Sequence, residues 1–414
     1  MYNKTQNIEK VNKKMLIATV DIGSRSHVGY WRSWDGAQCK PFEFSNDRLG
    51  FDRFWGYVCG AKIKHNADEI MVGFEPTGSF GEPLVYYLKD KPVTVVYVNP
   101  KHTKRVKELS DNSPLKTDKK DPRVLADIIQ LEHYLSVVVP TGICAELREL
   151  SGERERAIVE RSCSYNRLYN KLYAVFPEFF AMVKDIRVQS IQYLLARYPL
   201  PEDIVKLGKK RLTRLLKHRS HGRFGESFCV RLYEAAKASV GVTEGSRATR
   251  DSIRYIIGQI AEHNRRIAEL EEAMRRLLEE IPISRNILSI KGIGTVVAAC
   301  IIGEVGNFET FPTQRSLIKF AGLNLYEVSS GKHRGIRRIS KRGREYLRKT
   351  LYFAAMNTVR KNGIMHDYYI RLIESGMPRI KALIAVSRKL LGIIYALVRK
   401  QENFVMEYSV HKAA

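Results

Sequence analysis

Met15–Ser24 reads MLIATVDIGS and Glu69–Gly78 reads EIMVGFEPTG, two short apolar runs that each end on a carboxylate, Asp21 in the first and Glu75 in the second. Runs of this length bounded by turn residues read as strands. Working outward, strand-like segments follow at 27–33, 38–44 and 92–98, with Asp35-Gly36 as a hairpin turn between the first two of these. Helix-like segments fall at 48–62, 80–90, 100–110 and 121–135. Three hairpin-linked strands followed by alternating helix and strand predict a mixed α/β sheet with covering helices over 15–135. In such a sheet Asp21 and Glu75 emerge near neighbouring strand ends.

Two more acids, Asp118 and Asp121, lie three apart in KTDKKDPRVLADII, a spacing that puts both on one helical face. Together the four carboxylates have the character of a divalent-metal site for phosphate chemistry. Hard oxygen ligands suit magnesium or manganese, which bind through a few carboxylates, water and substrate phosphate. Lys116, Lys119, Lys120 and Arg123 surround the second pair, so simple salt bridging is the alternative. Pro122 suits a first helical position, which makes Asp121 the N-cap.

The 414 residues are 44% apolar and carry a formal charge of +26. That length suits a multidomain protein. Such a positive surplus, clustered locally, calls for a polyanionic partner, and nucleic acid is preferred over an anionic membrane surface. The six cysteines show no C-x-x-C pairing and read as reduced thiols. Without an apolar N-terminal segment or a bilayer-length apolar run, the expectation is a cytoplasmic protein with no membrane partner.

From 144 to 281 the pattern turns helical. Ile253, Ile256, Ile260, His263, Ile267, Leu270, Met274, Leu277 and Ile281 alternate at three and four residues, a heptad seam that predicts a coiled coil. Its partner is either the helix near 146–175, in an antiparallel hairpin, or the same segment of another protomer. His263 reads as a packed polar seam residue. Within this region, 182–248 forms a basic insertion containing VKLGKKRLTRLLKHRSHGR, either a solvated amphipathic helix or a phosphate-backbone contact. SVGVTEGSRATRDS marks a loop before the seam.

Residues 285–400 form a third, mostly α unit. It opens on SIKGIG, where Lys291, Gly292 and Gly294 make a tight turn ahead of an apolar helix. Exposed N–H groups there suit a phosphate, and tight helix packing explains the glycines equally well. PRIKALIAVSRKLLGIIYALVRK reads as one long amphipathic core helix. Between them, Ser329 and Ser330 precede Gly331, and nine Lys or Arg side chains fall between 332 and 349 against one acid, Glu345. A serine nucleophile needs activation, and a transferred phosphoryl group needs cations as charge develops. Lys332, Arg337, Arg338, Lys341 and Arg342 are the candidate phosphate contacts.

Asp21 in VDIGS, Glu75 in FEPTG, Asp118 and Asp121 in KTDKKD, then SIKGIG, FAGL, SSGKHRG and ISKRG-x-x-x-LR follow one order. That ordered set resembles the Piv-like insertion-sequence transposases, bridge-RNA-guided recombinases with a DEDD RuvC-like N-terminal domain and a serine-bearing C-terminal domain. The resemblance covers 15–135 and 285–400. It implies an RNase H-like (RuvC-like) fold in which Asp21, Glu75, Asp118 and Asp121 hold magnesium. It also implies that Ser330, or the adjacent Ser329, is the nucleophile. The expected function is a DNA transposase that works through a phosphoserine intermediate, with a structured bridge RNA as guide and a homodimer or homotetramer as the assembly. Alternatives are a site-specific invertase of the same family, a junction nuclease using only the carboxylates, and a non-catalytic nucleic-acid-binding derivative.

Overall fold

The computed structural model describes residues 14–76, 78–111, 121–327 and 337–405, and of Lys101, of 107–111, of Asp121 and of Ser136 it describes the backbone alone. The chain divides into two compact units, 1–140 and 141–414. The helices of 144–281 and the segment 285–400 both fall within the second.

The first unit is built on a six-stranded mixed sheet. β1 (Met15–Asp21) and β4 (Glu69–Phe74) are parallel neighbours at its centre, with Val20 opposite Phe74. Both are buried through their interiors, as parallel strands covered on two faces must be. β2 (Ser26–Ser33) runs antiparallel to β1 and β3 (Phe42–Ser45) antiparallel to β2, on one side of the centre. On the other, β5 (Thr94–Val98) continues parallel to β4, and β6 (Tyr134–Ser136) closes the edge antiparallel. The order is β3-β2-β1-β4-β5-β6.

The turn at Asp35-Gly36 lies where the sequence puts it. Gly36 takes a left-handed φ of 86°, and the Ser33 amide donates to the Ala37 carbonyl at 2.8 Å. The third strand starts at Phe42, four residues later than the pattern suggests, leaving one isolated bridge between Arg32 and Gln38. The helix predicted to run to 135 ends at Gln130, and its last part is the sixth strand. Glu132, with a left-handed φ of 58°, makes that break.

Helices cover both faces. On one, α1 (Arg48–Lys64) lays Phe51, Phe54 and Val58 on the sheet, with the Phe44 and Phe54 rings stacked at 4.8 Å. On the other lies α4 (Asp121–Gln130), after α2 (Glu82–Leu88) and α3 (Pro100–Asp111). Gly73 explains how closely α4 sits: a Cβ there would come 2.1 Å from Ile129 Cδ1 and 3.1 Å from Val96 Cγ2.

The second unit is framed by two long helices, α5 (Ile143–Val175) and α11 (Ser246–Glu279). They are antiparallel: Arg154 Nε donates to Glu271 at 2.8 Å, Arg161 to Asn264 at 2.9 Å and Arg167 to Gln259 at 2.9 Å, the numbers rising on one helix as they fall on the other. The seam therefore packs within the chain. Ile253, Ile260 and Met274 are fully buried, whereas Leu278 takes the buried place that the repeat gave to Leu277. His263 is half-buried, with Nδ1 3.6 Å from Glu160.

At one end of this pair, α6 (Phe179–Met182), α7 (Gln189–Arg197), α8 (Pro201–Leu207), α9 (Lys209–Arg219) and α10 (Glu226–Lys237) gather around Leu168, Leu172, Ile253 and Ile260 in one apolar cluster. The 182–248 insertion is thus a folded helical cap. Its return strap is fixed by the Val242 amide donating to Ala174 O at 3.0 Å, and a Cβ on Gly241 would lie 1.9 Å from Val175 O.

Beyond it run α12 (Ile283–Leu288), α13 (Thr295–Val305), α14 (Gln314–Phe320), a two-stranded ribbon of β7 (Leu325–Tyr326) and β8 (Arg338–Ile339), α15 (Glu345–Thr358), α16 (His366–Glu374) and α17 (Arg379–Lys400). α17 is the single long helix expected, burying Val386, Leu390 and Ile394. α13 packs on α5 so tightly that a Cβ on Gly303 would meet Arg148 N at 2.6 Å. No helix among the described residues is long and apolar enough to cross a membrane.

Candidate functional site

Asp21 is the last residue of β1, and Glu75 immediately follows β4. Because Val20 stands opposite Phe74 in parallel register, the two acids are the next residues on adjacent strands. Side chains alternate faces along a strand, so Thr19 and Asp21 share a face, as do Gly73 and, one step past the strand, Glu75. It is the α4 face, since Gly73 abuts Ile129 of that helix. Thr19 supplies the third point: its Oγ1 donates to the Pro122 carbonyl at 2.5 Å, pinning the first turn of α4 beside the end of β1. Asp121 is the first residue of α4.

Three of the four acidic positions are thereby carried to one edge of the sheet. Asp118 lies outside the described residues, as does the Asp121 side chain. Among the described residues no three His, Cys, Asp or Glu side chains cluster closely enough to hold a metal ion. The Asp21 and Glu75 carboxylates are hard anionic oxygens of the kind magnesium or manganese takes, and both are half-buried at a strand end, where such an ion would keep water ligands.

The loop leaving Asp21 is held by a histidine that sequence reasoning passed over. His27 is buried, and its Nδ1 accepts a hydrogen bond from the Gly23 amide at 3.2 Å, leaving the proton on Nε2. Gly23 is required there, because a Cβ would lie 2.2 Å from Ser26 O. The ring stacks on Phe51 and meets Phe44 edge-on. Burial among these rings pushes the His27 pKa down. The Asn46 carboxamide pulls it back only in part, since His27 Nε2 and Asn46 Oδ1 are both buried without a completed hydrogen bond. The signal available in sequence was only a lone polar residue in a strand whose neighbours are apolar.

The second cluster sits at the β7–β8 ribbon. Ser329, Ser330 and Lys332 lie outside the described residues. The flanks of that segment are well defined. The Lys341 amide donates to Gly322 O at 3.0 Å, the Arg344 amide to Phe320 O at 2.8 Å and the Ser340 amide to Asn324 O at 2.9 Å. Gly343 is needed here, since a Cβ would fall 2.2 Å from Phe320 O. Arg348 reaches back to Ala321 O at 3.2 Å. The FAGL, ISKRG and LR motifs are thus one interlocked base. Below it the Glu304 carboxylate, 3% exposed, takes the Arg344 guanidinium at 2.7 and 3.1 Å.

Of the candidate phosphate contacts, Arg337 pairs with Glu327 across the ribbon at 2.7 Å, and Arg338, Lys341 and Arg342 are exposed along the same base. The Lys291–Gly294 turn is elsewhere. Gly292, with φ of 101°, packs against Asn357 and Thr358 at the far end of α15 from the ribbon, roughly 20 Å away at the rise of a helix. The positive φ accounts for Gly292, and Lys291, Gly292 and Gly294 are all exposed.

Two family models match the chain and together cover more than half of it. One, described as "Transposase" and of the DEDD IS110 type, spans residues 18–177. The other, described as "Transposase IS116/IS110/IS902 family", spans 284–370 and so contains the ribbon and its interlocked base. The chain belongs to the IS110/IS116 family of insertion-sequence transposases. A 43.6 kDa protein of insertion element IS110 from Streptomyces coelicolor is 24% identical over 92% of this transposase and 93% of its own length. A 44.8 kDa protein of IS116 from Streptomyces clavuligerus is 25% identical over 70% and 72%. The transposase of IS1111A from Coxiella burnetii is 24% identical over 41% and 46%.

Proposed function

We propose that this transposase cuts and rejoins DNA through a phosphoserine intermediate, with Ser330 as nucleophile (Ser329 being the alternative) and Asp21, Glu75, Asp118 and Asp121 as ligands of a magnesium or manganese ion. The observation that carries this reading is the shared edge of Asp21, Glu75 and the pinned start of α4. A divalent ion bound there supplies charge stabilisation to a phosphate in transfer. Ser330 Oγ forms a bond to phosphorus as the bond to the leaving sugar oxygen breaks. The serine proton passes to a base, and the leaving oxygen takes up a proton. Conserving one phosphodiester bond as an ester to the serine lets the strand be rejoined without ATP.

Arg338, Lys341 and Arg342 neutralise the phosphate from the base of the ribbon, Lys332 is a further phosphate contact in this reading, and Lys291 with Gly292 and Gly294 contacts the backbone farther off. The partners in this reading are DNA, a bridge RNA as guide, and a second or a second pair of copies in a homodimer or homotetramer. The seam of α11 is occupied by α5 of the same chain, so assembly uses another surface. Incubating the protein with labelled DNA in magnesium and denaturing the mixture tests the chemistry. A covalent adduct is expected from the wild type and from one of Ser329→Ala and Ser330→Ala, with none from the other and none from Asp21→Ala. Cleavage untouched by both serine variants would assign the acids to a junction nuclease instead.

A further inference from the structure

The basic helix of the cap, α9, carries its charge differently from the long helix α11. Between Val205 and Arg223 there are eight Lys or Arg residues and no acid. Lys206 and Lys209 are tied to Glu202 and Glu234. Among the described residues, Lys210, Arg211, Arg214 and Lys217 form no ion pair, and all four are exposed. α11 shows the opposite habit: Arg265 is held by Glu262 and Glu269, and Arg275 and Arg276 by Glu272, with Glu279 also on Arg275.

Helical geometry lines up the free charges. Leu212 and Leu216 are fully buried and fix which side of α9 faces the cap. Lys210, Arg214 and Lys217, at four- and three-residue steps, form one stripe on the opposite side, with Cβ atoms roughly 5–6 Å apart. Arg211 and His218 flank it, exposed. Two further guanidiniums are fixed nearby: Arg197 and Arg219 lie 3.8 and 4.0 Å from the Tyr193 ring centroid, a cation–π geometry that holds them without consuming their charge. An unneutralised cationic stripe on a folded base costs self-repulsion unless an anion covers it.

We propose that this stripe, Lys210, Arg214 and Lys217 with Arg211 beside it, grips the sugar-phosphate backbone of the nucleic acid on which the transposase acts. The inference rests on the DNA-acting reading above and adds a contact surface remote in sequence from both chemical motifs. The occupant is defined by phosphodiester charge, which DNA and RNA share. Each neutralised phosphate steepens the salt dependence of binding, by about 0.9 in the slope of log K against log salt.

The test compares the full chain with Lys210→Gln/Arg214→Gln/Lys217→Gln, binding a DNA duplex and separately an RNA hairpin across a salt series. Glutamine keeps helix propensity near that of the residues replaced, and the circular dichroism of the variant checks the fold. A second triple, Arg265→Gln/Arg275→Gln/Arg276→Gln, removes equal charge from a face already paired with acids. The stripe variant should lose about 2.7 from the slope for DNA, for RNA or for both, thereby naming the occupant, while the second triple keeps the wild-type slope. Equal slopes for the stripe variant and the wild type on both ligands, or equal losses from the two triples, would overturn the proposal. Adduct formation is scored separately, so failure of the chemistry and failure of the grip are distinguishable.

Discussion

Gly73→Ala is the most searching perturbation of the sheet edge, because that glycine sets the height at which α4 lies over Asp21 and Glu75. The added methyl would stand 2.1 Å from Ile129 Cδ1, an atom of a side chain 2% exposed, and 3.1 Å from Val96 Cγ2. Ile129 has nowhere open to turn, so the helix must rise or the isoleucine must leave its rotamer. Overpacking of this kind costs about 1–3 kcal/mol. Ile129→Val removes the clashing Cδ1 and alone costs about 0.5–1.5 kcal/mol. The double variant should therefore be more stable than the sum of the two single effects by about 1 kcal/mol or more, a coupling expected only for groups in contact. All three tryptophans, Trp31, Trp34 and Trp55, lie in the first unit, so urea unfolding followed by tryptophan fluorescence reports that unit alone. Strictly additive single effects, or a Gly73→Ala protein as stable as the wild type, would refute this placement of α4.

Other consequences follow from the same contacts. Thr19→Val removes the hydroxyl that holds Pro122 and should cost about 1 kcal/mol in the same unfolding assay, with a larger loss of adduct yield than of folded protein. His27 has a folded-state pKa below its unfolded value of 6.5, so the unfolded chain binds the extra proton first and stability falls as pH drops below about 6.5. His27→Phe should flatten that part of the urea midpoint-versus-pH curve, and an unchanged curve would contradict the burial argument. Ile260→Ala should destabilise the second unit by about 2–5 kcal/mol, read by far-ultraviolet circular dichroism.

Much of the first unit was legible because its signals are local. Apolar runs ending in Asp21 and Glu75 sufficed to place two adjacent strand ends, and Asp35-Gly36 announced its own turn. The sixth strand escaped because 134–136 has only three residues and gains its identity from pairing with β5, a long-range event. The seam of α11 was plain from its period, but whether its partner lay in the same chain depended on packing that no repeat encodes. Gly73, Gly23 and His27 were unreadable for a similar reason: each is defined by what it touches across the sheet or loop. Motifs FAGL and ISKRG were visible as letters, while their role as a mutual brace required the hydrogen bonds from Ser340 to Asn324, from Lys341 to Gly322 and from Arg344 to Phe320.

The proposed chemistry depends above all on the ends of β1 and β4 jointly holding one divalent ion. Manganese binding measured by electron paramagnetic resonance tests this without reference to DNA. The wild type should bind the ion, and Asp21→Ala and Glu75→Ala should each weaken binding tenfold or more, while Asp127→Ala, which breaks only the pair with Arg32, should leave it unchanged. Wild-type affinity retained in both Asp21→Ala and Glu75→Ala would contradict the central claim.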